Sequence, residues 1–172
     1  MDKLVLESDS SDTRLEIVFK QEYKLENLQG IEEFWLDYEL KIFTGEKEYS
    51  FNSIDREAIT HTGMISEIGK FMFAVKPFNE LEQLKKSLTV YLEAKQKSFV
   101  YEPGEPSFEL EIERTVHSGQ FGSNEEEFKV YFWIDSGNTT QLEYTWDGIG
   151  LRFVTTKSKL VEFLAGINVA DL

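Results

Sequence analysis

A chain of 172 residues with 41% apolar side chains can build one ordinary core but not two, so a single domain spanning residues 1–172 is expected. Its 32 acidic residues against 18 basic ones give a formal charge of -14, a field that repels nucleic acid and anionic lipid and hastens encounter with basic partners. The absence of cysteine excludes disulfides, thiolate nucleophiles and cysteine-ligated zinc together, and 14 Phe, 7 Tyr and 3 Trp place the acid on a folded body rather than a disordered tail.

In chain order, Leu4 and Leu6 precede the turn Ser8-Asp9-Ser10-Ser11-Asp12 and face Leu15, Ile17 and Phe19 of a strand over Arg14 to Tyr23, which predicts a hairpin. Phe34, Leu36, Tyr38, Leu40 and Ile42 alternate with Glu33, Asp37, Glu39 and Lys41, the pattern of a half-buried antiparallel strand. Gly45-Glu46-Lys47 turns into a fourth strand carrying Tyr49 and Phe51. Residues 55–76 fit either period, because Ile65, Ile68 and Met72 suit a helix and Phe71 to Val75 a buried strand; Pro77 ends either one. Asn79 and Glu82 stand at capping-box spacing ahead of the stripe Leu81, Leu84, Leu88, Tyr91 and Leu92, the clearest helix.

Strand period returns with Phe108, Leu110 and Ile112, and again with Phe128, Val130, Phe132 and Ile134. A turn at Ser136-Gly137-Asn138 leads to a strand over Gln141 to Trp146, and a turn at Gly148 to Gly150 leads to a last strand over Leu151 to Thr155. A second helix from Thr156 carries Leu160, Phe163, Leu164 and Ile167, with Gly166 placed for a left-handed cap. The fold class expected is α+β: a bent, mainly antiparallel sheet of about eight strands, or two packed sheets, with two or three helices on one face. Met1 to Asp9 lacks a cationic flank followed by an apolar run, and no uncharged stretch could span a bilayer, so a cytoplasmic protein without membrane contact is expected.

Catalytic patterns fail one by one. His61 and His117 lie in no metal-ligand spacing. Gly148-Ile149-Gly150 lacks the third glycine and the helix that would present amides to a pyrophosphate, and reads as a tight turn. Asp135-Ser136-Gly137-Asn138 lacks the ligand spacing of a calcium loop. Asn138-Thr139-Thr140 matches a glycosylation acceptor but, without a secretory signal, reads as a polar turn. Pairs such as Glu32 with Glu33 read as solvated surface acids, and no Gly-x-Ser-x-Gly elbow occurs. A non-enzyme without cofactor or metal is expected.

What stands out is the acid on strand faces. Glu109, Glu111 and Glu113 project from one face about 7 Å apart, close to the spacing of successive phosphates along a nucleic-acid strand. Glu102 and Glu105 precede them, and Glu125, Glu126 and Glu127 open the strand expected beside them, so a hairpin would make one continuous acidic patch. Tyr131 and Trp133 share that outer face by parity and would serve as anchors unless a helix covers them.

The order of the second half then suggests a family. Phe99-Val100-Tyr101-Glu102-Pro103-Gly104-Glu105-Pro106, the strand with Phe108 and Leu110, Tyr144-x-Trp146, and Arg152-Phe153-Val154-Thr155-Thr156 entering a helix through Leu160 and Phe163 resemble the small acidic WapI-type immunity proteins over roughly Asn79 to Ile167. That resemblance implies a bacterial cytoplasmic protein that neutralises the toxic C-terminal domain, often a nuclease, of a contact-delivered wall-associated protein. It carries over no catalytic residue, because such proteins act by occlusion, and no binding residue, because these vary with each toxin. The expected function is binding of a basic protein partner by a monomer or weak dimer. A scaffold subunit with salt-insensitive contacts, or a small-ligand binder or hydrolase using a concave sheet face, are the alternatives.

Overall fold

The computed structural model describes residues 3–26, 29–51, 74–103, 108–115, 125–135 and 148–168. Four strands, β1 (Lys3–Glu7), β2 (Thr13–Glu26), β3 (Glu32–Thr44) and β4 (Lys47–Phe51), form an antiparallel meander, and the two-residue β5 (Ala74–Val75) pairs with β3 beside β4. A second antiparallel meander runs β6 (Ser98–Tyr101), β7 (Phe108–Arg114), β8 (Glu127–Asp135) and β9 (Gly148–Thr156). Helix α1 (Glu82–Glu93), entered through a π-helical turn at Pro77–Leu81, connects the sheets, and α2 (Lys157–Gly166) follows β9. The class is α+β as the alternation predicts. Of the two arrangements open from sequence, the chain adopts two sheets.

The inner faces of both sheets and the apolar stripes of both helices share one buried cluster. Leu15, Ile17, Leu40 and Ile42 face it from the first sheet, and Leu110, Ile112, Val130 and Phe132 from the second. Tyr38 meets Phe108 edge-on at 6.1 Å, joining the sheets, while Phe108 stacks on Phe132 at 4.9 Å. Tyr91 of α1 lies 5.5 Å from Phe99 and 6.1 Å from Phe128, so the helix closes the core over the second sheet. Each such ring buried stabilises the fold by about 1.5–3 kcal/mol. The sheets are also tied by polar bonds: the Asp9 N–H and the Ser8 hydroxyl donate to the Val154 carbonyl at 3.1 and 3.0 Å, and the Thr155 hydroxyl donates to the Glu7 carbonyl at 2.7 Å. No helix among the described residues is long and apolar enough to cross a membrane.

Several local expectations are corrected. The capping box at Asn79 and Glu82 does not form; the entry begins at Lys76, whose N–H donates to the Glu80 carboxylate at 2.6 Å. Gly166 takes no left-handed cap. Its lack of a side chain instead serves packing, since a Cβ there would stand 3.2 Å from Leu4 of β1. Gly148 and Gly150 are not a turn but the opening of β9, which pairs directly with β8. Strand β6, not anticipated as a strand, edges the second sheet. His61, His117, Asn138 and the expected strand over Gln141 to Trp146 lie outside the described residues, as does all of 55–76 except the end, where Ala74 and Val75 are strand.

Candidate functional site

The outer face of the first sheet is a ladder of opposite charges. Glu16 takes Lys3 at 3.0 Å and Arg14 at 2.9 Å, Glu39 takes Lys20 at 2.6 Å and Lys41 at 4.0 Å, and Lys41 reaches Glu48 at 3.0 Å. The ladder runs along and diagonally across the strands: Glu16 stands opposite Lys41, while Glu39, opposite Val18, draws its cations from Lys20 and from Lys41 two residues on. Burial works to raise the Glu39 carboxyl, but hydrogen bonds from Lys20 and Ser50 and the charges of Lys20 and Lys41 outweigh it and hold the group below its ordinary range. This face is neutralised from within.

The outer face of the second sheet is built differently. Glu109, Glu111 and Glu113 stand opposite Trp133, Tyr131 and Lys129 of β8, whose other neighbours in β9 are Gly150, Arg152 and Val154. Beyond β7, Val100 of β6 pairs with Glu111 and is 60% exposed. Partial burial, the neighbouring Glu111 carboxylate and the charge of Glu102 together push the Glu109 carboxyl above its ordinary range. Among the described residues Glu109 has Glu111 and Glu102 for charged neighbours, Glu113 stands opposite Lys129, and none of Glu109, Glu111 and Glu113 has an ion pair. Trp133 is 44% exposed and lies with its ring against Gly150, where a Cβ would stand 2.4 Å from the ring. Only glycine lets the indole lie flat there. Arg152 covers Tyr131, its guanidinium carbon 5.3 Å from the ring centre.

The structure thus brings together Glu102, Glu109, Glu111, Glu113, Tyr131 and Trp133 on one face, and both helices join the buried core on the opposite side of the sheet. It separates Glu125, Glu126 and Glu127 from them. Antiparallel pairing sends these three to the Arg114 end of β7, with Lys129 between them and the aromatics, so the single continuous patch expected from sequence does not form. Each has a structural role instead. The Ser158 hydroxyl and N–H donate to Glu125, the latter at 3.3 Å, which holds that carboxyl below its ordinary range and caps the start of α2. Glu126 pairs with Arg114, and Glu127 is 1% exposed. Glu105 lies outside the described residues. Arg152, Gly150 and Val100 were missed from sequence. Reading Gly150 as a strand residue facing a tryptophan, rather than as a turn, would have found the first two.

Two concave features lie elsewhere among the described residues. An open cavity of about 330 Å³ between the β1–β2 and β3–β4 turns is lined by Ser8, Ser11, Thr13, Arg14 and Phe43, and the Ser8, Ser11 and Thr13 hydroxyls bond one another. A shallower cleft of about 710 Å³ runs beside Phe78, Glu82 and Lys86. Glu109, the carboxyl pushed upward, lines neither. Among the described residues no three His, Cys, Asp or Glu side chains are grouped to hold a metal ion. Comparison with known proteins finds no matching family model, no matching curated protein and no matching solved structure.

Proposed function

We propose that this protein is a non-catalytic binding module whose second-sheet outer face captures a basic protein partner. One observation carries the reading: Glu109 and Glu111 of β7 and Glu102, just past the end of β6, are held close beside an exposed tryptophan, with no cation of this chain paired to them among the described residues. Clustering like charges costs folding free energy, and a cationic partner lowers that cost on docking. The acids set the rate of encounter, and Trp133, once desolvated, slows release. A strand face presenting clustered carboxylates competes for a protein surface that otherwise holds a phosphate backbone. Neutralisation of a toxin domain by occlusion, as in the WapI-type immunity proteins that the second half resembles, is the specific form we favour. In that setting the protein works in the cytoplasm as a stoichiometric inhibitor.

The test is affinity capture from the source organism's lysate at low and high salt, with the wild type and with Glu109→Lys/Glu111→Lys/Glu113→Lys side by side. A basic protein recovered by the wild type at low salt, and lost both at high salt and with the triple variant, is the expected result. Recovery undiminished by the three reversals removes this face from the function.

A further inference from the structure

The chain repeatedly lays a cation on an aromatic ring and meets its charge with a neighbouring glutamate. Arg14 has its guanidinium carbon 4.1 Å above Phe43, its cross-strand partner, and its Nε 2.9 Å from Glu16. Lys76 has its Nζ 4.7 Å above Trp35 and 2.8 Å from Glu33. Arg114 lies 4.9 Å above Phe128 and pairs with Glu126. In the last two the acid and the ring are two residues apart in the chain. On the second-sheet face Arg152 fills the same position over Tyr131, whose cross-strand partner is Glu111.

Trp133 is the next ring along that face. Its cross-strand partner is Glu109, its ring is held flat by Gly150, and among the described residues no cation lies on it. We infer that Trp133 and Glu109 form an open cation clamp that accepts an arginine side chain from a basic protein partner. The inference rests on the proposed binding role of this face and names the chemistry of its central contact.

Charge complementarity selects the occupant. The exposed indole face attracts a cation, and Glu109, Glu111 and Glu102 supply carboxylates on the same side. Arginine suits the position better than lysine for two reasons. Its planar guanidinium stacks on the indole and is less strongly hydrated, and its fixed fork of N–H groups can donate to two carboxylates at once. Glu109 and Glu111, two residues apart on one strand, present such a pair. Arg152 is occupied over Tyr131 and leaves the Trp133 ring uncovered.

The experiment uses two synthetic peptides of equal charge, Arg-Ser-Arg-Ser-Arg and Lys-Ser-Lys-Ser-Lys, titrated at low salt into the full chain. Binding is read by calorimetry and by the Trp133 indole N–H resonance, assigned through its loss in Trp133→Phe. The expected result is at least fivefold tighter binding of the arginine peptide, with that resonance shifting. Trp133→Ala should abolish the difference between the peptides, and Glu109→Gln should weaken the arginine peptide severalfold, each variant keeping the wild-type far-ultraviolet dichroism. Equal affinity for the two peptides overturns the clamp, as does an arginine preference that survives Trp133→Ala. If both peptides bind equally and both are lost in the Glu109/Glu111/Glu113 charge reversal, the clamp falls while the acidic face keeps its binding role. Self-association of the chain that buries Trp133, seen by sedimentation, makes a second copy the occupant and also overturns it.

Discussion

On the first sheet, Glu16, Glu39 and Glu48 each sit within 3.0 Å of a lysine or arginine on the same or a neighbouring strand; on the second, Glu102, Glu109 and Glu111 have only one another among the described residues. Both faces are acid-bearing, pleated and antiparallel. What separates them is what lies within reach of each acid: on the first sheet lysines and an arginine of the same or adjacent strands pair with Glu16, Glu39 and Glu48, whereas on the second Glu109 and Glu111 stand opposite tryptophan and tyrosine. An acid answered by an internal cation adds to the fold, whereas an acid answered by an aromatic leaves its charge for something outside. The location of a charge surplus, rather than its size, is therefore the guide to a binding face in this molecule.

The largest effect expected from breaking the comparison is at Glu39. Glu39→Ala strands Lys20, Lys41 and the Ser50 hydroxyl around a site only 8% exposed, and should cost about 1–3 kcal/mol in urea unfolding. Glu111→Ala on the other sheet should change stability by less than about 0.5 kcal/mol. Conversely, replacing Glu102, Glu109 and Glu111 together by glutamine should leave stability equal or slightly raised. The same change should slow association with a basic partner about tenfold at low ionic strength, as stopped-flow mixing would report.

A pH titration of stability sharpens the contrast because the two carboxyls shift in opposite directions. Glu39, held low, contributes stability that is complete above the ordinary carboxylate range and is lost as pH falls through its folded value; Glu39→Gln should flatten that acid-side loss. Glu109, pushed up, binds its proton more tightly in the folded state. Its contribution is present below the ordinary range and is lost as pH rises through the raised value, so Glu109→Gln should remove a small decline just above pH 4.5. Thermal unfolding at half-unit steps between pH 3 and pH 7 separates the two.

The smallest effect expected on the fold is Gly150→Ala. The added methyl must push the Trp133 ring off the strand, and since that ring is half in solvent the stability change should stay within about 1 kcal/mol. Tryptophan emission should nevertheless shift to the red as the indole lifts away. If the spectrum of Trp133 is unmoved, the flat platform described for it is wrong.

Much of this was legible in the chain. Period-two alternation at Leu15-Ile17-Phe19, at Tyr38-Leu40-Ile42 and at Val130-Phe132-Ile134 found the strands and their buried sides, because a residue's side of a strand follows from parity alone. The stripes of α1 and α2 were equally plain. Other features were hidden for identifiable reasons. Glu125, Glu126 and Glu127 look like an acidic run, yet their fates depend on Ser158 and Arg114, which reach them only through folding. Gly150 has the local signature of a turn, and what fixes it in β9 is the ring of a residue 17 positions earlier.

By itself the sequence determined the long strands and both helices, the faces they bury and the sign of the whole molecule's field, since periodicity and net charge are properties of neighbours and sums. Whether the strands made one sheet or two, which acids meet lysine and which meet tryptophan, and hence where negative charge is left unanswered, were decided only in the tertiary structure. Those outcomes turn on cross-strand register, where a shift of one residue exchanges the two faces, and register is set by contacts between segments far apart in the chain.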